Sequence, residues 1–282
     1  MREYAVAIRL LAVLALQALW VPGYLVAWEW PVPSVQPVQF FGGFHGELPF
    51  PGIRIAATEV SSIHDGRVVM ARQLAADRSL LVIAHGTGFH VAYDDLLWSS
   101  LRVTEGQTVR AGDPLGRSSD GVVGIRVFDS VHERIINPLH VLPDYVDRFR
   151  PVIDGLWLRP PVGDVYEVSQ NEALVLPAAR YMLELSAYDR VDFTQRLQVY
   201  GIEVFVNGRQ VLSARLDGVQ TVSGGRVLMD NSDLALEELL TENGLLHAGE
   251  LELLPGEATI DVVAYDFIGN QARARFVLVI EE

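Results

Sequence analysis

Neither cysteine nor lysine occurs in the 282 residues. The first absence excludes disulfides, thiolate metal sites, a cysteine nucleophile and lipid attachment at a bacterial lipobox. The second excludes a Schiff-base or P-loop lysine and any lysine carrying lipoate or biotin. All 22 basic residues are therefore arginines, set against 36 acidic ones for a formal charge of −14. A chain of that sign has little with which to release counterions from phosphates, which excludes nucleic acid as a partner. Long apolar runs are scarce too. The one candidate, Leu10 to Ala27, is broken by Pro22 and Gly23, leaving a continuous helix of about a dozen residues against the roughly 20 a membrane span needs.

With Arg2 and Arg9 ahead of it and small Ala27 at its end, segment 1–27 reads as an export signal, cleaved or kept as an N-terminal anchor. A buried N-terminal helix is the alternative. Half of the residues are hydrophobic and 21% are charged, the composition of a folded chain with core enough for two domains. Residues 28–43 contain Pro31, Pro33 and Pro37, too closely spaced for helix, and form an extended lead-in. Residues 44–145 carry β-like runs at 53–56, 66–71, 80–84, 90–93 and 124–128 between Gly, Asp and Ser clusters, the spacing of an all-β unit. A second unit spans 151–282. In it, Ile202–Val206 and Arg209–Leu212 flank Asn207-Gly208, a strong hairpin signal because a type I′ turn needs two positive φ angles. Further strands are predicted at 181–187, 260–265 and 271–280, and one helix from Ser232 as N-cap to Leu240, ending at Asn243-Gly244. Short antiparallel strands in this number predict an immunoglobulin-like β-sandwich.

The informative segments lie in the first unit. His64-Asp-Gly-Arg-Val68 is a strand with a tight Asp-Gly turn, and Val103 to Gly116 is a strand–turn–strand whose Gly106 and Gly112 relieve two corners. Around them stand Phe50-Pro-Gly-Ile-Arg-Ile55, Ile83-Ala-His-Gly86, Tyr93-Asp-Asp-Leu96, Val127-Phe-Asp-Ser130 and Asn137-Pro-Leu139. In this order they resemble the M23 family, the lysostaphin- or LytM-like zinc peptidases that cut peptidoglycan crosslinks, over roughly residues 41–142. Residues 151–282 are similar to the β-sandwich that follows the peptidase domain in some bacterial members. The resemblance implies a mainly β protein, a barrel-sandwich hybrid followed by the immunoglobulin-like sandwich. Related lipoyl and biotin carriers are excluded by the missing lysine.

The same resemblance implies a zinc site of two histidines and a carboxylate with one position open for water. The first histidine falls on Phe50, the aspartate on Arg54 and the second ligand histidine on Gly124, or on Arg126 if the register shifts by two. The histidine ahead of that ligand falls on Val122, or on Gly124 in the shifted register, and the remaining catalytic histidine falls on Asp95. A guanidinium at position 54 stays charged and repels a cation.

The expectation is therefore a protein with no catalytic residue and no cofactor, whose groove of Phe50, Arg54, His85, Tyr93, Asp95 and Arg126 is kept for binding. Arg54 and Arg126 would pair with carboxylates of peptide stems, whereas Asp94 and Asp95 face solvent or Arg54. His85 stands where the family often has a structural histidine. The implied partner is peptidoglycan or a cell-wall hydrolase, and the implied location is the periplasm or cell envelope. An active zinc endopeptidase with ligands rearranged onto His45 and His85 is one alternative, and a structural module that binds through its β-sandwich is another. Outside this region, Asp266 with Asn270 and Asp189 is weighed as a calcium loop against an ordinary β-turn. Trp28, Trp30 and Trp98 are weighed as sugar-stacking residues against packing.

Overall fold

The computed structural model describes residues 28–282 apart from 87, 193, 194, 224 and 242. The expected export segment lies outside the described residues.

The first core is built on a ten-stranded antiparallel sheet. At its centre the Val122–Asp129 strand pairs on one side with Phe89–Leu97, and through it with Arg78–Ala84 and Gly66–Gln73. On its other side it pairs with Ile53–Ala56 over its first half and with Arg134–Ile136 at its end. Period-two alternation decides which side chains face inward. Ile53 and Ile55, Val91 and Tyr93, and Val123, Ile125 and Val127 are buried in one cluster, and the residues between them occupy the other face. The lead-in joins this unit: Pro37–Gln39 adds a strand beside Ile53–Ala56, and Trp30 donates its indole N–H to the Pro143 carbonyl at 3.0 Å. Trp28 packs edge-on against His85 and Phe89. Trp28 and Trp30 thus pack against the first core, whereas Trp98 remains partly exposed.

The second core lies between two five-stranded sheets. One contains Val152–Arg159, Ala179–Asp189 and Leu246–Leu253. The other contains Gly201–Val206, Arg209–Arg215, Gly256–Tyr265 and Gln271–Glu281. Asn207 and Gly208 adopt φ of 50° and 77°, as the turn between the first hairpin's strands requires. Two features depart from expectation. Leu174–Pro177 pairs parallel to Gln271–Glu281, so the sandwich is not purely antiparallel. The helix is a single turn, Leu236–Leu239, with Ala235 at the N-cap and no side-chain cap bond. Leu240 leaves the helix to bridge Leu246, because burying the leucines against strands outweighs the gain of continuing an uncapped helix.

A hairpin of the second half completes the first sheet. Gly218–Val222 pairs with Arg134–Ile136, and Gly225–Leu228 lies outside it, while Val219 and Leu228 are buried in the second core. Asn137, from the Asn-Pro-Leu segment, fastens this junction. Its side chain donates to the Leu216 carbonyl at 2.9 Å and accepts from the Leu139 N–H, and its own N–H donates to the Asp217 carbonyl.

Candidate functional site

Arg54 lies in the Ile53–Ala56 strand, turned away from the core by the burial of Ile53 and Ile55. It pairs in register with Gly124, and Gly124 pairs in register with Asp94 on the next strand. The ring of Phe50 lies over this row: a Cβ on Gly124 would come 3.0 Å from Phe50 Cζ and 3.1 Å from Asp94 Cβ. A side chain at Gly52 would strike the Ile125 carbonyl at 2.3 Å, so only glycine lets the chain cross the sheet closely enough to place Phe50 there. Phe50, Arg54 and Gly124, which the resemblance makes the ligand positions, are thus neighbours.

Their chemistry is different. Arg54 Nη1 donates to Asp95 Oδ2 at 3.0 Å and lies 2.9 Å from His45 Nε2. Because a guanidinium only donates, His45 Nε2 must be the acceptor and carries no proton. Asp95 also receives Arg78 Nη1 at 3.4 Å. Arg126 clasps Asp94 with two bonds, Nε to Oδ2 at 2.8 Å and Nη2 to Oδ1 at 2.7 Å, and its guanidinium is 5.9 Å from the Phe50 ring centre. Arg54 and Asp95 are largely buried, with side-chain exposures of 11% and 14%. Asp95 is the extra residue of a β-bulge and has φ of 63°, an uncommon conformation for a residue with a side chain.

The structure therefore corrects two expectations. Arg54 and Arg126 are not held open for peptide carboxylates, because Asp95 and Asp94 already occupy them. Tyr93 does not line a groove: it is fully buried, and its hydroxyl accepts from the Ile63 N–H at 2.9 Å. Burial pushes its phenol pKa up.

His85 is set apart from this row as well. Its Nδ1 lies 2.8 Å from the Asp65 carbonyl, so Nδ1 carries the proton, and among the described residues Nε2 is left buried without a partner. Burial, helped by the neighbouring His64 and His90, holds its pKa below the ordinary histidine value against the Asp65 bond, which raises it. Among the described residues, neither His45 nor His85 belongs to a group of three ligand-type side chains close enough to share an ion. The residues that the resemblance places at the metal do not fit zinc: a phenyl ring and a glycine supply no donor, and a permanent cation stands where a carboxylate would be needed.

Beside Phe50 a cleft of about 550 Å³ opens, walled by Leu48, Pro49 and Phe50 on one side and by Thr221, Val222 and Arg226 on the other. Leu48 and Val222 are exposed apolar residues. Arg226 braces the cleft, donating to Glu237 at 2.6 Å and to the Pro49 carbonyl at 3.2 Å. Sequence reasoning missed it because its walls come from segments 177 positions apart.

Residues 50–124 match the model of peptidase family M23, so the match begins at Phe50 and ends at Gly124. Residues 150–281 match a second family model. No curated protein matches the sequence. Similar solved structures include the catalytic domain of the antimicrobial peptidase lysostaphin from Staphylococcus simulans, at 17% identity and a TM-score of 0.30, covering 34% of this chain and 81% of that one. CbpA from L. salivarius REN is 18% identical with a TM-score of 0.32, covering 36% and 78%. The SpoIIQ–SpoIIIAH pore-forming complex is 21% identical with a TM-score of 0.36, covering 43% and 94%. By its strands and by the family match, the chain is mainly β, with an M23-like first unit followed by a β-sandwich.

Proposed function

We propose that this chain is a non-catalytic M23-like protein of the cell envelope, which binds a wall peptide or a cell-wall hydrolase without cleaving the wall. One observation carries the reading: the three positions of the family's metal ligands converge, yet they hold Phe50, Arg54 and Gly124. A hydrolytic centre needs a polarised water, and an arginine already neutralised by Asp95 offers nothing to polarise it. The space at these positions is filled by the chain's own ion pairs. Binding then falls to the adjoining cleft, where Phe50, Leu48 and Val222 present apolar surface and Arg226 a polar rim, the mixture peptide-binding clefts use. Export to the envelope rests on the N-terminal segment.

The internal pairing of Arg54 and Arg126 also favours a second reading, a structural module that binds through its sandwich. One experiment separates these readings. The full chain, expressed with zinc and dialysed, is assayed for zinc, for clearing of peptidoglycan suspensions, and for co-sedimentation with purified sacculi or acceleration of an added wall amidase. We expect less than about a tenth of an equivalent of zinc and no clearing, with sedimentation or acceleration that Phe50→Ala weakens. A full equivalent of zinc with clearing would establish the peptidase instead. Binding untouched by Phe50→Ala would favour the module.

A further inference from the structure

We propose that Asp147, Asp189 and Asp266 form a calcium site tying the segment between the two cores to one end of the sandwich. The three carboxylates come from separate places. Asp147 lies in the connecting segment, Asp189 ends the Ala179–Asp189 strand of one sheet, and Asp266 follows the Gly256–Tyr265 strand of the other. Their exposures are only 8%, 1% and 1%, and one oxygen of each lies within 4.8 Å of the others. Three like charges do not gather in a core without something to hold them.

Unpaired atoms indicate that a ligand belongs there. Asp147 Oδ1 accepts from the Phe149 N–H at 2.9 Å, but among the described residues Asp147 Oδ2 is buried with no partner. Among the described residues the hydroxyl of Tyr145 is likewise buried without a partner. The remaining bonds aim the site. Arg190 N–H holds Asp189 Oδ1 at 2.8 Å, and Asn270 holds both oxygens of Asp266, through its backbone and side-chain N–H groups, each at 2.7 Å. Among the described residues no arginine or histidine forms an ion pair with any of the three. The guanidinium of Arg190 lies over the Phe149 ring, 5.5 Å from its centre.

Without a cation the arrangement is costly. A bound divalent ion reverses that cost. An all-oxygen donor set with no histidine selects a hard cation. Magnesium keeps several waters in a strict octahedron, whereas calcium accepts irregular carboxylate ligands, and so few exposed donors suit calcium. The consequence is mechanical. Tyr145 packs on Phe40 and Trp30 of the first unit, with ring centres 5.8 and 6.5 Å away, so an ion held by its neighbours fixes how the two units meet.

The test uses the full chain, stripped with chelator, and measures thermal unfolding and terbium luminescence. We expect about 1 mM calcium to raise the melting temperature by about 5 °C and magnesium to do markedly less. Terbium should bind and be displaced by calcium. Asp189→Asn should abolish the calcium shift, because it removes a carboxylate ligand. No shift and no terbium binding, or a full calcium shift in Asp189→Asn, would overturn the site. A shift with magnesium alone would overturn the choice of calcium. Should the variant fail to fold, wild-type protein decides: calcium should slow proteolytic cutting between 144 and 151, and equal rates with and without it count against the proposal.

Discussion

Nη1 of Arg54 lies 3.0 Å from Oδ2 of Asp95, and a left-handed backbone at Asp95 holds that carboxylate where a strand residue would not otherwise reach. The pair makes a testable demand. Asp95→Ala leaves a guanidinium with 11% side-chain exposure without its carboxylate and puts alanine at positive φ, which should cost about 2–3 kcal/mol. Asp95→Asn tolerates the backbone and should lose about half of that. Urea unfolding of the two variants separates the charge from the conformation, and equal losses would assign the whole effect to charge.

The register of the resemblance can be tested by reversal. If Phe50, Arg54 and Gly124 are the ligand positions, the triple variant F50H/R54D/G124H should gain zinc binding of about one equivalent. G124H alone should gain none and lose stability, because its Cβ would press on Phe50 and Asp94 at 3.0 and 3.1 Å. If F50H/R54D/R126H binds zinc and the first triple does not, the ligand row runs through position 126.

His85 makes stability depend on pH. Its folded pKa lies below the ordinary value of 6.5, so the unfolded chain takes up the proton first. The stability that neutral His85 contributes is complete above 6.5 and is lost as the pH falls through the lower folded value. Urea midpoints should therefore fall between pH 7 and pH 5. His85→Asn, whose amide N–H can still reach the Asp65 carbonyl, should fall less, and an equal fall would place the dependence elsewhere.

Asn137 should be among the costliest polar residues to replace. Asn137→Ala leaves the Leu216 carbonyl and the Leu139 N–H without their partners, a loss of about 2–3 kcal/mol. Asn137→Asp keeps the acceptor for Leu139 but sets a carboxylate against the Leu216 oxygen, and should be no better. A change below about 0.5 kcal/mol in chemical unfolding would mean the junction tolerates the loss.

The strands were legible because alternation is a local property. The run 53–56 coincides with the observed strand, and the Asn207-Gly208 turn needed only its two residues. The same alternation places Tyr93 inward with Val91, and the motif match drew it outward against that pattern. The helix was over-read because Leu234, Leu236, Leu239 and Leu240 have helical spacing, and spacing cannot reveal that Leu240 pairs with Leu246. The Asp95 partner of Arg54 was foreseen as an alternative to solvent, but the Arg126–Asp94 pair was not. Asp147 could not be seen beside Asp189 and Asp266, since only the meeting of a connecting segment with the ends of two sheets unites them.

The hairpin Gly218–Leu228 gives the architecture a property that neither half has alone. A gene cut near residue 150 would lose two strands of the sheet it keeps. The Arg134–Ile136 strand, which pairs with Gln220, Val219 and Gly218, would present a bare edge to any other chain able to pair with it. Neither half can then be exchanged between genes as a cassette. The pair should melt as one cooperative body, and pulling on the two ends should load this borrowed hairpin in shear before either core opens.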